Sequence, residues 1–414
     1  MEPATRVRLC LKDLYHQDVV EMIERETRRY AVWNIEDPDD PDFGTAFEIL
    51  WGAFGPVGEM EHKEVIAEWL REDALEVTPS GTFMKYFLIV AKDRDGNVRG
   101  ARDGMILLNP DYAPDLCVVY LAHIYMLPQA RGTVMSYWLR IAPVEIAMQY
   151  MSDLHEEGKI RLPLPDRPGR YFGMQIDLVA EMEYFTPEER ISWQRILFYG
   201  RGGFDVIDPR HYPFQQPDFR DPEEIARTGP LPLPFMLLVR RLGRERSAML
   251  PIREAMAITR LMMDDHASYL PRDAVDQTYG YLMRRLEIRA RQKDYVALLP
   301  LPTGPQNLGR LKRLFRYNVF TRFYAGLPAT EAYLKSGVKE KLAANPRYVD
   351  DAIKAIHGEL AARTEDVFGS RDRNVSWDGI PRSPADLAAD APEPLSAELP
   401  EEITLSRPPD HWSF

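Results

Sequence analysis

The run at 116–126, LCVVYLAHIYM, is apolar at nearly every position. A strand with one wet face alternates apolar and polar residues, whereas a strand covered on both faces does not. The run therefore predicts a central strand with other elements packed above and below it. It stops at Pro128, and Gln129-Ala130-Arg131-Gly132 hands over at once to a helix-like segment at 133–158. Two readings of that handover stand open. One is a tight strand-to-helix turn. The other is an anion cradle, because the first N–H groups of a helix lack intrahelical partners and the helix dipole favours negative charge there. Gly132 allows close backbone approach, and Arg131 adds charge at the mouth.

The elements around this run alternate between strand and helix. TRVRLCLKD at 5–13 alternates as a strand, and QDVVEMIERETRRYAVWN at 17–34 has helical spacing, with Val19, Met22 and Ile23 on one face. IEDPDDPDFGTAF at 35–47 reads as an acidic loop, without the ligand alternation of a calcium site. HKEVIAEWLRED at 62–73 reads as a helix. Two β-rich runs flank Asp95-Gly96-Asn97, a hairpin signal. Pro143 is expected to bend the helix at 133–158. A strand at 171–183 follows, then a helix opening on a Thr186/Glu189 capping box and stopping at Gly202-Gly203. Strands at 204–208 and 234–242 enclose a long Pro-rich, aromatic loop. After Gly243 helical patterns dominate, with one strand at 294–302 expected to close back on the sheet.

These elements give a mixed α/β (α+β) class: a central mixed sheet flanked by helices, with a helical C-terminal extension and a disordered tail. The expected organisation is a domain over 1–305 (a core at 5–241 plus an addition at 242–305), a helical extension at 306–368 and an acidic Pro-rich tail at 369–414. The 414 residues carry a formal net charge of -12, which argues against nucleic acid as a partner of the whole chain. The basic aromatic segment at 309–326 is read as a docking helix. Cys10 and Cys117, both in apolar runs, are expected to be free thiols in a reducing, cytoplasmic setting. No leader and no membrane-spanning run is expected. Neither a metal-ligand pattern nor a Walker-type loop is present; Asp264, Asp265 and His266 are read as a solvated helix face.

Three stretches in this order resemble one family. Gln129-Ala130-Arg131-Gly132-Thr133-Val134 is similar to the loop Gln/Arg-x-x-Gly-x-Gly/Ala of the GNAT superfamily of acyl-CoA-dependent N-acyltransferases. FLIVAKDRDGNVRGARDG at 87–104 is similar to its second and third strands, and LFYGRGGFDVID at 197–208 to the end of its last helix and the next strand. The resemblance covers about residues 5–241. Val134 departs from it, since a β-branched residue stands where the family has Gly or Ala.

The resemblance implies acetyl-CoA or another acyl-CoA as co-substrate, no metal, and transfer of an acyl group to the primary amine of a small molecule or peptide by direct attack. It implies donor contacts from the backbone near Ala122, Ile124 and Met126, from the loop Gln129 to Val134, and from Ser192. It makes Tyr199 the proton donor to the departing thiolate, a task suited to a phenol that stays protonated at neutral pH. Candidates for the general base are Glu181 and Glu183, then Tyr120, then His123. Period-2 alternation puts His123 on the strand face opposite Tyr120. The loop at 210–233 and the acidic loop near Asp37 are the acceptor-side candidates. The alternatives are a non-catalytic GNAT-fold module acting through its C-terminal extension, and an enzyme using a different donor, decided by the lining near Met126 and Phe172. A homodimer is compatible with either.

Overall fold

In the computed structural model the hairpin and the apolar run meet at the centre of one mixed sheet. The structure describes residues 5–6, 21, 30–57, 59–131, 135–164, 171–185, 190–218, 222–229, 232–245, 247–311, 344–345, 347 and 350–356. Its strands are β1 (Thr5–Arg6), β2 (Tyr30–Ile35), β3 (Phe83–Asp93), β4 (Val98–Asn109), β5 (Ala113–Tyr120), β6 (Ile124–Met126), β7 (Gln175–Glu183), β8 (Asp205–Ile207), β9 (Gln215–Gln216), β10 (Leu233–Arg241), β11 (Met249–Pro251) and β12 (Tyr295–Pro300). The helices are α1 (Phe43–Phe54), α2 (Lys63–Arg71), α3 (Met135–Glu156), α4 (Arg190–Arg201), α5 (Pro222–Thr228), α6 (Ile252–His266) and α7 (Arg272–Ala290).

The sheet order is β1-β2-β3-β4-β5-β7-β10-β8-β12-β11, with β6 on β4 and β9 on β10. β5 lies in the interior, as its unbroken apolar pattern demands. Ile106, Val119 and Leu178 point into a core under α3 and α4. Leu107, Val118 and Val179 point into a second core with α1, α2, α6 and α7. Burial on both faces is what makes β5 read as a continuous apolar run. The β3–β4 hairpin turns where Asp93 accepts the backbone N–H groups of Asp95 and Asn97, each at 3.0 Å, and Gly96 takes φ +81°.

Two local expectations are corrected. The helix expected at 17–34 does not extend to its end: Tyr30–Ile35 is strand β2, paired antiparallel with β3. Its aromatic and β-branched residues fit the open edge of β3 better than they extend the periodicity of Val19, Met22 and Ile23. The residues 17–29 other than Glu21 lie outside the described ones. The acidic loop is also shorter than expected, because α1 begins at Phe43. Phe43, Ala46, Phe47 and Leu50 form one buried stripe that outweighs the helix cost of Gly44 and Gly52.

The expected closure by the strand after Gly243 is observed: β12 pairs with β8, and β11 with β12. The loop after β12 then presses on α4. A Cβ on Gly200 would lie 2.1 Å from the Pro302 carbonyl oxygen, so only glycine permits this approach. Helix α3 runs unbroken through the buried Pro143. Helix α4 stops as expected, with Gly203 at φ +79°. Cys117 is a buried free thiol. Cys10, the Thr186/Glu189 box, the basic segment beyond Leu311 and the tail lie outside the described residues. No helix among the described residues is long and apolar enough to cross a membrane.

Candidate functional site

β5 and β7 run parallel from Leu116↔Gln175 to Tyr120↔Val179, and the Leu121 N–H donates to the Val179 carbonyl at 2.8 Å. Beyond that point they part. β7 continues along β10 to Glu183, while the other chain follows β4 as β6. Tyr120 faces Met105 on β4, yet Ile124 faces Arg102. One extra residue is therefore inserted at 121–123, a β-bulge. The splay leaves one edge of β6 without a partner strand among the described residues. The His123 carbonyl accepts from Asp103 and the Leu127 N–H donates to Arg99, so these odd positions turn toward β4. Ile124 and Met126 turn their backbone groups into the splay instead.

A cavity of about 630 Å³ fills the splay and reaches both faces of the sheet. Ala122, Ile124 and Met126 line one wall, and Glu181, Met182 and Glu183 the other. From α4, the residues on one helical stripe, Ile191, Gln194, Arg195, Phe198 and Tyr199, close one end. The far end is made by the loop before α2, by Trp69, and by Asp265 and Tyr269 at the end of α6.

Tyr199 is buried against Phe198 and Phe204, with each pair of ring centroids 5.4 Å apart. Burial raises its phenol further, with Arg102 and Arg195 acting against the shift, so it is protonated at neutral pH. Both carboxylate oxygens of Glu181 are buried and accept no hydrogen bond from a described residue. Burial lifts this acid to about 8, while the Tyr120 hydroxyl and His123 pull it down. Glu183 is held in an ion pair with Arg195. Tyr120 lines the cavity beside Glu181, its phenol pushed well up by burial.

His123 does line the cavity with Tyr120, contrary to the alternation expected of a regular strand. The bulge between them shifts the pleat by one residue, which flips the side chain to the other face. Its two ring nitrogens are both engaged: Nδ1 lies 2.9 Å from Asp103 Oδ1, and Nε2 lies 2.6 Å from the Glu59 carbonyl. Burial opposes its charge, but Asp103 and the Glu59 carbonyl outweigh burial and the imidazole is raised. An imidazolium donating twice has no lone pair for base work. Asp103 also accepts from the Tyr86 hydroxyl at 2.9 Å.

Arg131 reaches the cavity, where Nε donates to the Met126 carbonyl at 3.1 Å and the guanidinium lies 5.3 Å from the Tyr125 ring centroid. Gln129 and the buried Ala130 belong to the short turn at Pro128–Ala130 and do not line the cavity. Gly132, Thr133 and Val134 lie outside the described residues. Ser192 is buried and does not line the cavity. Phe172 packs against the core and does not line the cavity. Among the described residues of the two acceptor-side loops, only Gln216 reaches the cavity; Asp37 and its neighbours do not.

Asp264, Asp265 and His266 are not a solvated face. Asp265 is 2% exposed and His266 fully buried, which keeps the imidazole neutral, lowered to about 3. Asp264 accepts from Thr82 at 2.5 Å and from Tyr112 at 3.0 Å. The sequence signal was the apolar stripe of α6, Ala255, Ile258 and Met262, which continues through Asp265 and His266.

No family model and no curated protein matches the chain. Among solved structures, it is similar to spermidine N-acetyltransferase from Vibrio cholerae in complex with CoA and spermine. That likeness has 9% identity, covers 53% of this chain and 98% of that one, and has a TM-score of 0.29. Phosphinothricin acetyltransferase from Sinorhizobium meliloti in complex with AcCoA, a GNAT superfamily protein, is 16% identical over 38% of this chain and 62% of its own, with a TM-score of 0.19. Nourseothricin acetyltransferase is also 16% identical, over 38% and 65%, with a TM-score of 0.20.

Proposed function

We propose that the protein is an acyl-CoA-dependent N-acyltransferase, with an amine acceptor entering from the acidic end of the cavity. The observation that carries this reading is the splay itself. A strand edge at Ile124 and Met126 with no partner strand among the described residues, its Met126 carbonyl held by Arg131, shares one cavity with the buried carboxylate of Glu181 and the protonated phenol of Tyr199. The unpaired edge fits the amide groups of a pantetheine arm, which then adds as a further strand. The donor supplies an activated thioester carbonyl.

The acceptor amine loses a proton to Glu181 and forms the C–N bond at that carbonyl. The C–S bond breaks, and the departing sulfur takes its proton from Tyr199. Tyr199→Phe is expected to lower kcat by roughly 10²-fold, the low end of general-acid contributions, with acetyl-CoA affinity retained. Steady-state kinetics with acetyl-CoA and calorimetric titration of the same variant measure the two effects. Unchanged turnover removes Tyr199 from the mechanism. Absence of acetyl-CoA binding to the wild-type protein at millimolar concentration removes the acyl-CoA reading altogether and leaves a binding module or another donor.

A further inference from the structure

The far end of the cavity holds more acid than the transfer of one proton requires. Asp265 is 2% exposed, lines the cavity, and its Oδ1 accepts no hydrogen bond from a described residue. Glu181 lines the same cavity, its two buried oxygens without a hydrogen bond within 3.5 Å and acted on by the neighbouring Tyr120 hydroxyl. A buried acceptor left without a donor costs free energy, so two such groups on residues that line one cavity mark a place where a side-chain turn would meet donors arriving with a ligand. The walls between them are aromatic: the Trp69 ring packs tilted against Tyr269 and Tyr86, with centroids 5.2 and 5.3 Å apart. Aromatic faces beside carboxylates suit an alkylammonium and its methylenes. The nearby His123 and Arg195 do not satisfy the two acids, because they are committed to Asp103 and Glu183.

We propose that the acceptor is a dicationic amine, its reacting nitrogen at Glu181 and its second ammonium seated on Asp265 against Tyr269 and Trp69. This rests on the acyltransferase reading for the word acceptor, but not for the binding itself. Asp265 and Tyr269 come from α6 and the turn after it, outside the 5–241 stretch that carries the family resemblance, so the second seat belongs to the chain's own addition. Burial lifts Asp265 to about 7, with Asp264 adding to the rise, so an arriving ammonium would favour its ionised form.

The test is calorimetric titration of the full chain, without any acyl donor, with α,ω-diaminoalkanes of three to eight carbons and with 1-aminobutane. At least one diamine is expected to bind on the order of ten-fold or more tightly than the monoamine, the worth of one added charge-assisted bond. In Asp265→Asn, with an unchanged far-UV circular dichroism spectrum, that ratio is expected to fall to about one. A wild-type ratio near one across the series overturns the proposal whatever the variant does, as does a ratio that survives Asp265→Asn. Diamine preference without acyl transfer from acetyl-CoA would sink the enzymatic reading alone. Transfer to monoamines without diamine preference would sink the second seat alone.

Discussion

Glu181→Gln is expected to remove turnover and, in the same protein, to raise stability. Glutamine keeps the shape of the side chain but accepts no proton, so acyl transfer should fall by roughly 10²- to 10⁴-fold, the usual worth of a general base. The stability gain has the opposite origin. Below the ordinary carboxyl value of 4.5, folded and unfolded chains both carry the proton, and the group costs nothing. Between there and about 8 the unfolded chain loses the proton while the folded chain keeps it. The cost of burial therefore grows through this window and levels off above it, at roughly 3–5 kcal/mol. Thermal melts should show Glu181→Gln more stable than wild type by roughly 5 °C or more at pH 8 and nearly equal at pH 5. In the wild type, kcat/KM should climb with pH to a plateau above about 8, the limb reporting ionisation of Glu181 in the free enzyme. A flat profile, or a variant that retains turnover, assigns the base elsewhere.

Gly104→Ala is expected to be the most damaging single methyl in the sheet. The added Cβ would lie 2.1 Å from the Tyr120 carbonyl oxygen and 2.6 Å from Phe87 Cζ. The first of these is backbone inside a paired ladder, so it has no rotamer to escape into. Overpacking of this kind costs roughly 1–3 kcal/mol or more. Relief requires β5 to move away from β4 at the bulge, which displaces Tyr120 and Glu181's surroundings together. Urea unfolding should give a lower midpoint with little change in slope, and residual activity should fall more than the folded fraction does. Gly52→Ala is the control, because nothing lies within 4 Å of its added methyl. Equal midpoints for the two variants would show that the strand gives way freely.

Local pattern carried much of this architecture. The apolar run at 116–126, the Asp95-Gly96-Asn97 turn and the helix stop at Gly202-Gly203 each have a short-range cause, and each is found where that cause puts it. Tyr199, Arg131 and Glu181 reach one cavity for the same reason, since each sits at a predictable end of a predictable element. What escaped depends on distant partners. Tyr30–Ile35 is a strand because β3 offers an edge, which helical spacing upstream does not reveal. His123 faces the cavity because one residue is inserted opposite β4, and no single-strand pattern marks a bulge in an all-apolar run. Asp265 and Tyr269 join Tyr120 across some 145 positions of chain, through packing of α6 that periodicity alone leaves undirected.

The pairing of β12 with β8 has a consequence for synthesis on the ribosome. Until residues near 300 have emerged, one side of β8 is an open hydrogen-bonding edge of largely buried sequence. A nascent chain ending near Arg241 therefore carries β1 to β10 and still has an adhesive flank. Release at that length, by a premature stop or by proteolysis, should give aggregation rather than a smaller soluble enzyme. The α6–β12 segment is thus expected to guard the chain against self-association, besides shaping the acidic end of the cavity.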